Sequence, residues 1–68
     1  MRTDFDALAD GDEVILHPNK DNPLHKSPVI ARFYGGYFYC DGSPPEEGPD
    51  YYLGDVMRYN TGFEKRNW

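Results

Sequence analysis

The stretch Phe33-Tyr34-Gly35-Gly36-Tyr37-Phe38-Tyr39-Cys40 decides the fold, because a Gly-Gly pair stands between two runs rich in aromatic residues. Both central residues of a primed two-residue turn take positive φ, which penalises any residue with a Cβ. Two glycines therefore predict a tight β-hairpin and fix its register. Tyr34 falls opposite Tyr37, Phe33 opposite Phe38, Arg32 opposite Tyr39, Ala31 opposite Cys40 and Ile30 opposite Asp41.

Alternation along each strand then sorts these side chains onto two faces. Val29, Ala31, Phe33, Phe38 and Cys40 share an apolar face, which is the expected core. Ile30, Arg32, Tyr34, Tyr37, Tyr39 and Asp41 share the other. That face combines three phenols with one guanidinium, and Arg32 is expected to stack over Tyr39 in a cation–π contact. Arg32, Tyr34, Tyr37 and Tyr39 are the candidate partner-binding residues. The alternative is that further chain packs over these rings and leaves only their hydroxyls wet.

Sixty-eight residues suit one small domain, expected to span 1–68 with residues 1–10 as an N-terminal arm or short helical turn. A chain of this size buries only roughly 60% of its unfolded surface, so a few large side chains must supply most of the stability. Six tyrosines, four phenylalanines and one tryptophan meet that need. Six prolines and seven glycines interrupt the chain every few residues, which excludes long helices and favours short strands.

One cysteine cannot form an internal disulfide, and there is neither a leader-like segment nor an apolar run near the ~20 residues a membrane helix needs. A cytoplasmic location without membrane contact is the expectation. Twelve acidic against seven basic residues give a net charge of −5, which repels phosphate backbones and suits a partner with a basic surface. Modest acidity also simply keeps a small protein soluble.

Outside the hairpin, Thr3 to Ala9 has a capping-type residue followed by Phe5 and Leu8, the spacing of one helical turn. Asp10-Gly11 is a turn, Glu13-Val14-Ile15-Leu16-His17 is a strand ended by Pro18, and residues 19–28 form a polar loop with Leu24 as the expected anchor. Residues 41–50 form a second loop, whose prolines present Glu46, Glu47 and Asp50 on a stiff acidic arm. Tyr51-Tyr52-Leu53 is a strand. Gly54-Asp55 opens a helical or 3₁₀ turn over Val56 to Tyr59, Asn60-Thr61-Gly62 ends it, and Phe63-Glu64-Lys65 is the last strand.

This order of elements resembles that of an SH3-like barrel over about residues 11–66. The resemblance implies a mainly β fold: a small barrel or a strongly curved antiparallel sheet of four to five short strands, with one helical or 3₁₀ turn near residues 55–59. It carries no functional residue with it. A three- or four-stranded sheet with a small helix packed on it is the alternative.

No pattern of catalytic residues stands out, so the chain is expected not to be an enzyme. Cys40 falls on the apolar face as an inert thiol, without the exposed, electropositive setting of a nucleophile. His17 and His25 with Cys40 lack the paired spacing of a zinc site, and Asp10-Gly11-Asp12-Glu13 lacks the alternating oxygen ligands of a calcium loop. Neither metal nor cofactor is expected. The glycines lack the following lysine and helix of a phosphate loop, and Glu46 and Glu47 have nothing to separate their pKa values as an acid–base pair.

What remains is a non-catalytic protein-interaction module whose tyrosine face and acidic loop meet a basic partner, in the manner of a phage or bacterial accessory or inhibitor protein. Two alternatives stand beside it. One is a small barrel binding single-stranded nucleic acid, with Lys20, Lys26, Arg32, Arg58, Lys65 and Arg66 forming a basic stripe. The other is an assembly subunit or homo-oligomer joined through free sheet edges and the segment from Phe63 to Trp68.

Overall fold

The computed structural model describes residues 1–40 and 48–66. A 3₁₀ turn at Phe5–Ala7 precedes strands β1 (Glu13–Pro18), β2 (Val29–Tyr34), β3 (Tyr37–Cys40) and β4 (Tyr51–Tyr52). Helix α1 (Leu53–Tyr59) and strand β5 (Asn60–Lys65) complete the chain. The strands form one antiparallel sheet in the order β4-β3-β2-β1-β5. The chain thus meanders from β1 to one edge, crosses through α1 and returns to pair β5 with β1. The sheet curls strongly into a half-barrel, which is the mainly β architecture expected from the sequence.

The central hairpin has the expected register, with Ala31, Arg32, Phe33 and Tyr34 opposite Cys40, Tyr39, Phe38 and Tyr37. Gly35 and Gly36 take φ of 57° and 87°, as a primed turn requires. The tip is tied on both sides: the Gly35 N–H donates to Asp10 Oδ1 at 2.7 Å, and the Gly36 carbonyl accepts from the Leu53 N–H at 3.0 Å. That second bond satisfies one of the orphan donors at the start of α1, where no side chain caps the helix.

The concave side of the sheet is the core. Val14 and Leu16 from β1, Ala31 and Phe33 from β2, Phe38 and Cys40 from β3, and Phe63 from β5 are all buried, joined by Tyr51, Val56, Phe5 and Leu8. Val29, placed on this face by alternation, is half-buried against it. The 3₁₀ turn brings the Phe5 ring to 4.9 Å from Phe63 and 6.4 Å from Phe38, closing the open side of the half-barrel. Residues 1–10 therefore contribute to the core. Arg2 also exchanges two backbone hydrogen bonds with Phe63, at 2.9 and 2.8 Å, and so occupies the outer edge of β5.

Three local expectations change. Leu24 is 57% exposed and anchors nothing. Asn22, fully buried, anchors the loop instead: Nδ2 donates to the Tyr51 hydroxyl at 2.7 Å and the Tyr59 carbonyl at 3.0 Å, while Oδ1 accepts from the Leu24 and His25 N–H groups, both at 2.8 Å. Its amide is thereby satisfied, as burial demands. The helix begins at Leu53, which ends β4 after Tyr52, and it stops without a left-handed glycine. Asn60 turns directly to extended backbone and its Nδ2 donates to the Val56 carbonyl at 3.0 Å. Pairing of Asn60 with Pro18, beyond a register shift at His17/Pro18, lets β5 start three residues before Phe63.

Candidate functional site

The convex side of the sheet carries the phenols. Tyr37 is the register partner of both Tyr34 on β2 and Tyr52 on β4, so three tyrosines line up across three adjacent strands. They are 45%, 41% and 57% exposed for Tyr34, Tyr37 and Tyr52. No further layer of chain covers them among the described residues. Tyr37 and Tyr52 meet edge to face with ring centroids 5.3 Å apart, and Tyr34 and Tyr39 do so at 6.4 Å. Edge-to-face pairs hold ring orientation, so the row is a partly preset surface.

Tyr52 belongs to this row although its sequence placed it on a strand of unassigned register. Only the pairing of β4 with β3 assigns it to the convex side. Tyr39, half-buried, lies in the next row opposite Arg32.

Arg32 does not stack on Tyr39. Its Nη2 donates to Glu13 Oε2 at 2.9 Å, and Glu13 is its register partner on β1. The Glu13 carboxylate, followed by the neighbouring Tyr34 phenol, holds the Arg32 guanidinium above its ordinary pKa. A bidentate-capable carboxylate offers a charged acceptor where an aromatic face offers only a quadrupole, and the charge-assisted bond wins. Arg66 reaches Glu13 Oε1 at 3.3 Å from the other side. Lys65 lies 3.4 Å from Asp12, and the Lys26 ammonium donates to the Asn22 carbonyl at 2.8 Å. Much of the anticipated basic stripe is therefore neutralised or engaged within the fold.

The acidic arm divides. Glu46 and Glu47 lie outside the described residues. Asp50 is half-buried and turned onto the end of β3: its N–H donates to the Phe38 carbonyl at 3.0 Å, and its Oδ2 accepts from the Cys40 N–H at 2.8 Å. These bonds extend the β3–β4 ladder beyond Tyr51.

Asp50 brings a second constellation into view. The ligand atoms of His25, Cys40 and Asp50 lie within 4.8 Å of one another, although the residues come from the first loop, β3 and the approach to β4. Tyr51 forms one wall, its ring 5.8 Å from that of His25. Burial raises the Tyr51 phenol pKa above its ordinary value, the Asn22 amide opposes that rise, and the nearby Cys40 and Asp50 add to it. Cys40 retains only 3% exposure, as its apolar-face position predicted. His17 is outside this set. It stands on the convex side, 3.3 Å from Glu64 Oε2 without hydrogen-bond alignment.

Among the described residues no helix is long and apolar enough to cross a membrane. Comparison with protein-family models, with curated proteins and with solved structures finds no match to this chain.

Proposed function

We propose that this chain is a non-catalytic protein-interaction module whose convex tyrosine face grips a partner protein with a basic or proline-containing surface. The observation that carries this is the exposed row Tyr34, Tyr37 and Tyr52 across three strands. Tyrosines are frequent energetic anchors of interfaces because they bring large, stiff, amphipathic area at little entropic cost. Arg32, Tyr39, Glu46, Glu47 and Asp50 complete the candidate contact set, the carboxylates acting as a rim that speeds encounter. The net charge of −5 favours a cationic partner. An accessory or inhibitory protein of a phage or bacterium, acting in the cytoplasm, is the setting this reading suggests.

Nucleic acid is the weaker occupant, since Arg32 and Arg66 share the Glu13 carboxylate and Lys65 sits beside Asp12. Assembly by strand addition is also weaker: β4 offers only two residues, and Arg2 takes part of the β5 edge.

The test is affinity capture from the source organism's lysate by the wild-type chain and by a Tyr37→Ala/Tyr52→Ala double variant, with unfolding curves for both. A protein retained only by the wild type, while both chains stay folded, supports the interface. Equal capture by both, or loss of folding in the variant, returns the tyrosines to a structural role. Tight binding of a single-stranded oligonucleotide that weakens steeply with salt would instead favour the nucleic-acid class.

A further inference from the structure

We propose that His25, Cys40 and Asp50 form a binding site for a thiophilic divalent cation of the zinc type. Three donors of different chemistry, an imidazole nitrogen, a sulfur and a carboxylate oxygen, converge within 4.8 Å from segments far apart in the chain. The His25 Nε2 is buried and finds no hydrogen-bond partner. A buried ring nitrogen without a partner is costly, and coordination by a cation is a direct way to satisfy it.

The scaffold holds each donor independently of the metal. Asn22 Oδ1 accepts from the His25 N–H at 2.8 Å, so the buried amide fixes the backbone that carries the imidazole. Cys40 sits in the β3 ladder, and its N–H holds Asp50 Oδ2 at 2.8 Å. The Tyr51 ring, 5.8 Å from His25, shields one side.

The donor set selects the ion. Imidazole plus thiolate suits zinc or cobalt and disfavours magnesium and calcium, which prefer oxygen cages. Metal–ligand bonds of roughly 2.0–2.3 Å place tetrahedral donors roughly 3.3–3.8 Å apart. Side-chain rotation that closes the 4.8 Å spread by about an ångström therefore completes the geometry, with water in the fourth position. The Cys40 thiol transfers its proton to solvent as the metal–sulfur bond forms, and neither metal nor sulfur changes oxidation state. A cation so placed staples the first loop and the approach to β4 onto β3, a form of reinforcement common among small domains.

The experiment is titration of the reduced full chain with Co²⁺, followed by absorption, then displacement with Zn²⁺ and chelation. The expected result is a near-ultraviolet sulfur-to-cobalt charge-transfer band with strong visible bands of a four-coordinate ion, both abolished by Zn²⁺. Cys40→Ser should lose the charge-transfer band. His25→Gln, which alters a half-buried ring, should stay folded by circular dichroism while binding at least about tenfold more weakly. His17→Gln should bind as the wild type does. Zn²⁺ should also raise the unfolding temperature of the wild type, reversibly with chelator, and leave that of His25→Gln unmoved. Absence of the charge-transfer band at a large excess of cobalt would overturn the proposal, as would equal binding by wild type and His25→Gln.

Discussion

Replacing Asn22 with alanine should damage this fold more than any truncation of an exposed tyrosine. Four hydrogen bonds disappear, two donated to the Tyr51 hydroxyl and the Tyr59 carbonyl and two accepted from the Leu24 and His25 N–H groups. The loop N–H groups regain water on a small rearrangement. The Tyr51 hydroxyl does not, since the residue is only 1% exposed, and a buried group left unsatisfied costs about 1–3 kcal/mol. With the Tyr59 carbonyl also losing a partner, the expected loss is about 3 kcal/mol. The whole domain should hold only about 3–10 kcal/mol at the usual stability per residue, so the variant sits near the edge of folding. In a chain this small each kcal/mol moves the melting temperature by about 4–8 °C, giving a fall of about 12 °C or more.

Urea denaturation of Asn22→Ala, Tyr51→Phe and the double variant measures this directly. Tyr51→Phe removes one partner of the shortest bond, so the two substitutions should be less than additive by about 1 kcal/mol. Leu24→Ala, at an exposed position of the same loop, should stay within about 0.5 kcal/mol of wild type. A loss below about 1 kcal/mol for Asn22→Ala, or equal losses at Asn22 and Leu24, would refute the assignment of Asn22 as the loop's anchor.

Gly36→Ala places a Cβ at a φ of 87° and should cost about 1 kcal/mol or more by equilibrium denaturation, with unchanged hairpin register by NMR. Gly62→Ala would put its Cβ 2.6 Å from the Arg2 carbonyl oxygen; it should lift the N-terminal segment from β5, seen as faster hydrogen exchange at the Arg2 and Phe63 amides. Asp12 is held below its ordinary pKa of 3.8, first by the Ala9 N–H and then by Lys65, so its contribution is complete above that value and fades as pH falls through the lower folded one. Stability of Asp12→Asn should accordingly fall less than wild type on acidification below that point, in parallel urea titrations. Phe38→Ala empties a fully buried site between Phe5 and Phe33 and should cost about 3–5 kcal/mol, measured in the same way.

The hairpin was legible because its information is local: two glycines set the bend, and strict alternation then assigns every ring to a face. The same logic failed at Tyr52, where a two-residue strand carries too little pattern to declare its register. Asn60 misled for a related reason. It has the look of a helix terminator, and it does end α1 through its side chain, yet its own backbone is already strand. Arg32 shows the limit of pairing rules within one hairpin, since its partner Glu13 comes from a third strand. Asn22 and the meeting of His25, Cys40 and Asp50 had no readable spacing at all. Buried polar hubs are made by tertiary closure, and the loop containing Asn22 and His25 has the composition of an ordinary surface connection.

Hairpin ends are ordinarily where sheets begin to fray and where proteases nick. In this chain the Gly35–Gly36 bend is clasped by the Asp10 carboxylate on one side and by the first amide of α1 on the other. Peeling it away therefore requires letting go of both the entry to β1 and the crossover helix. Local opening becomes coupled to the loss of elements on either side, which makes the bend a participant in global cooperativity instead of a loose extremity.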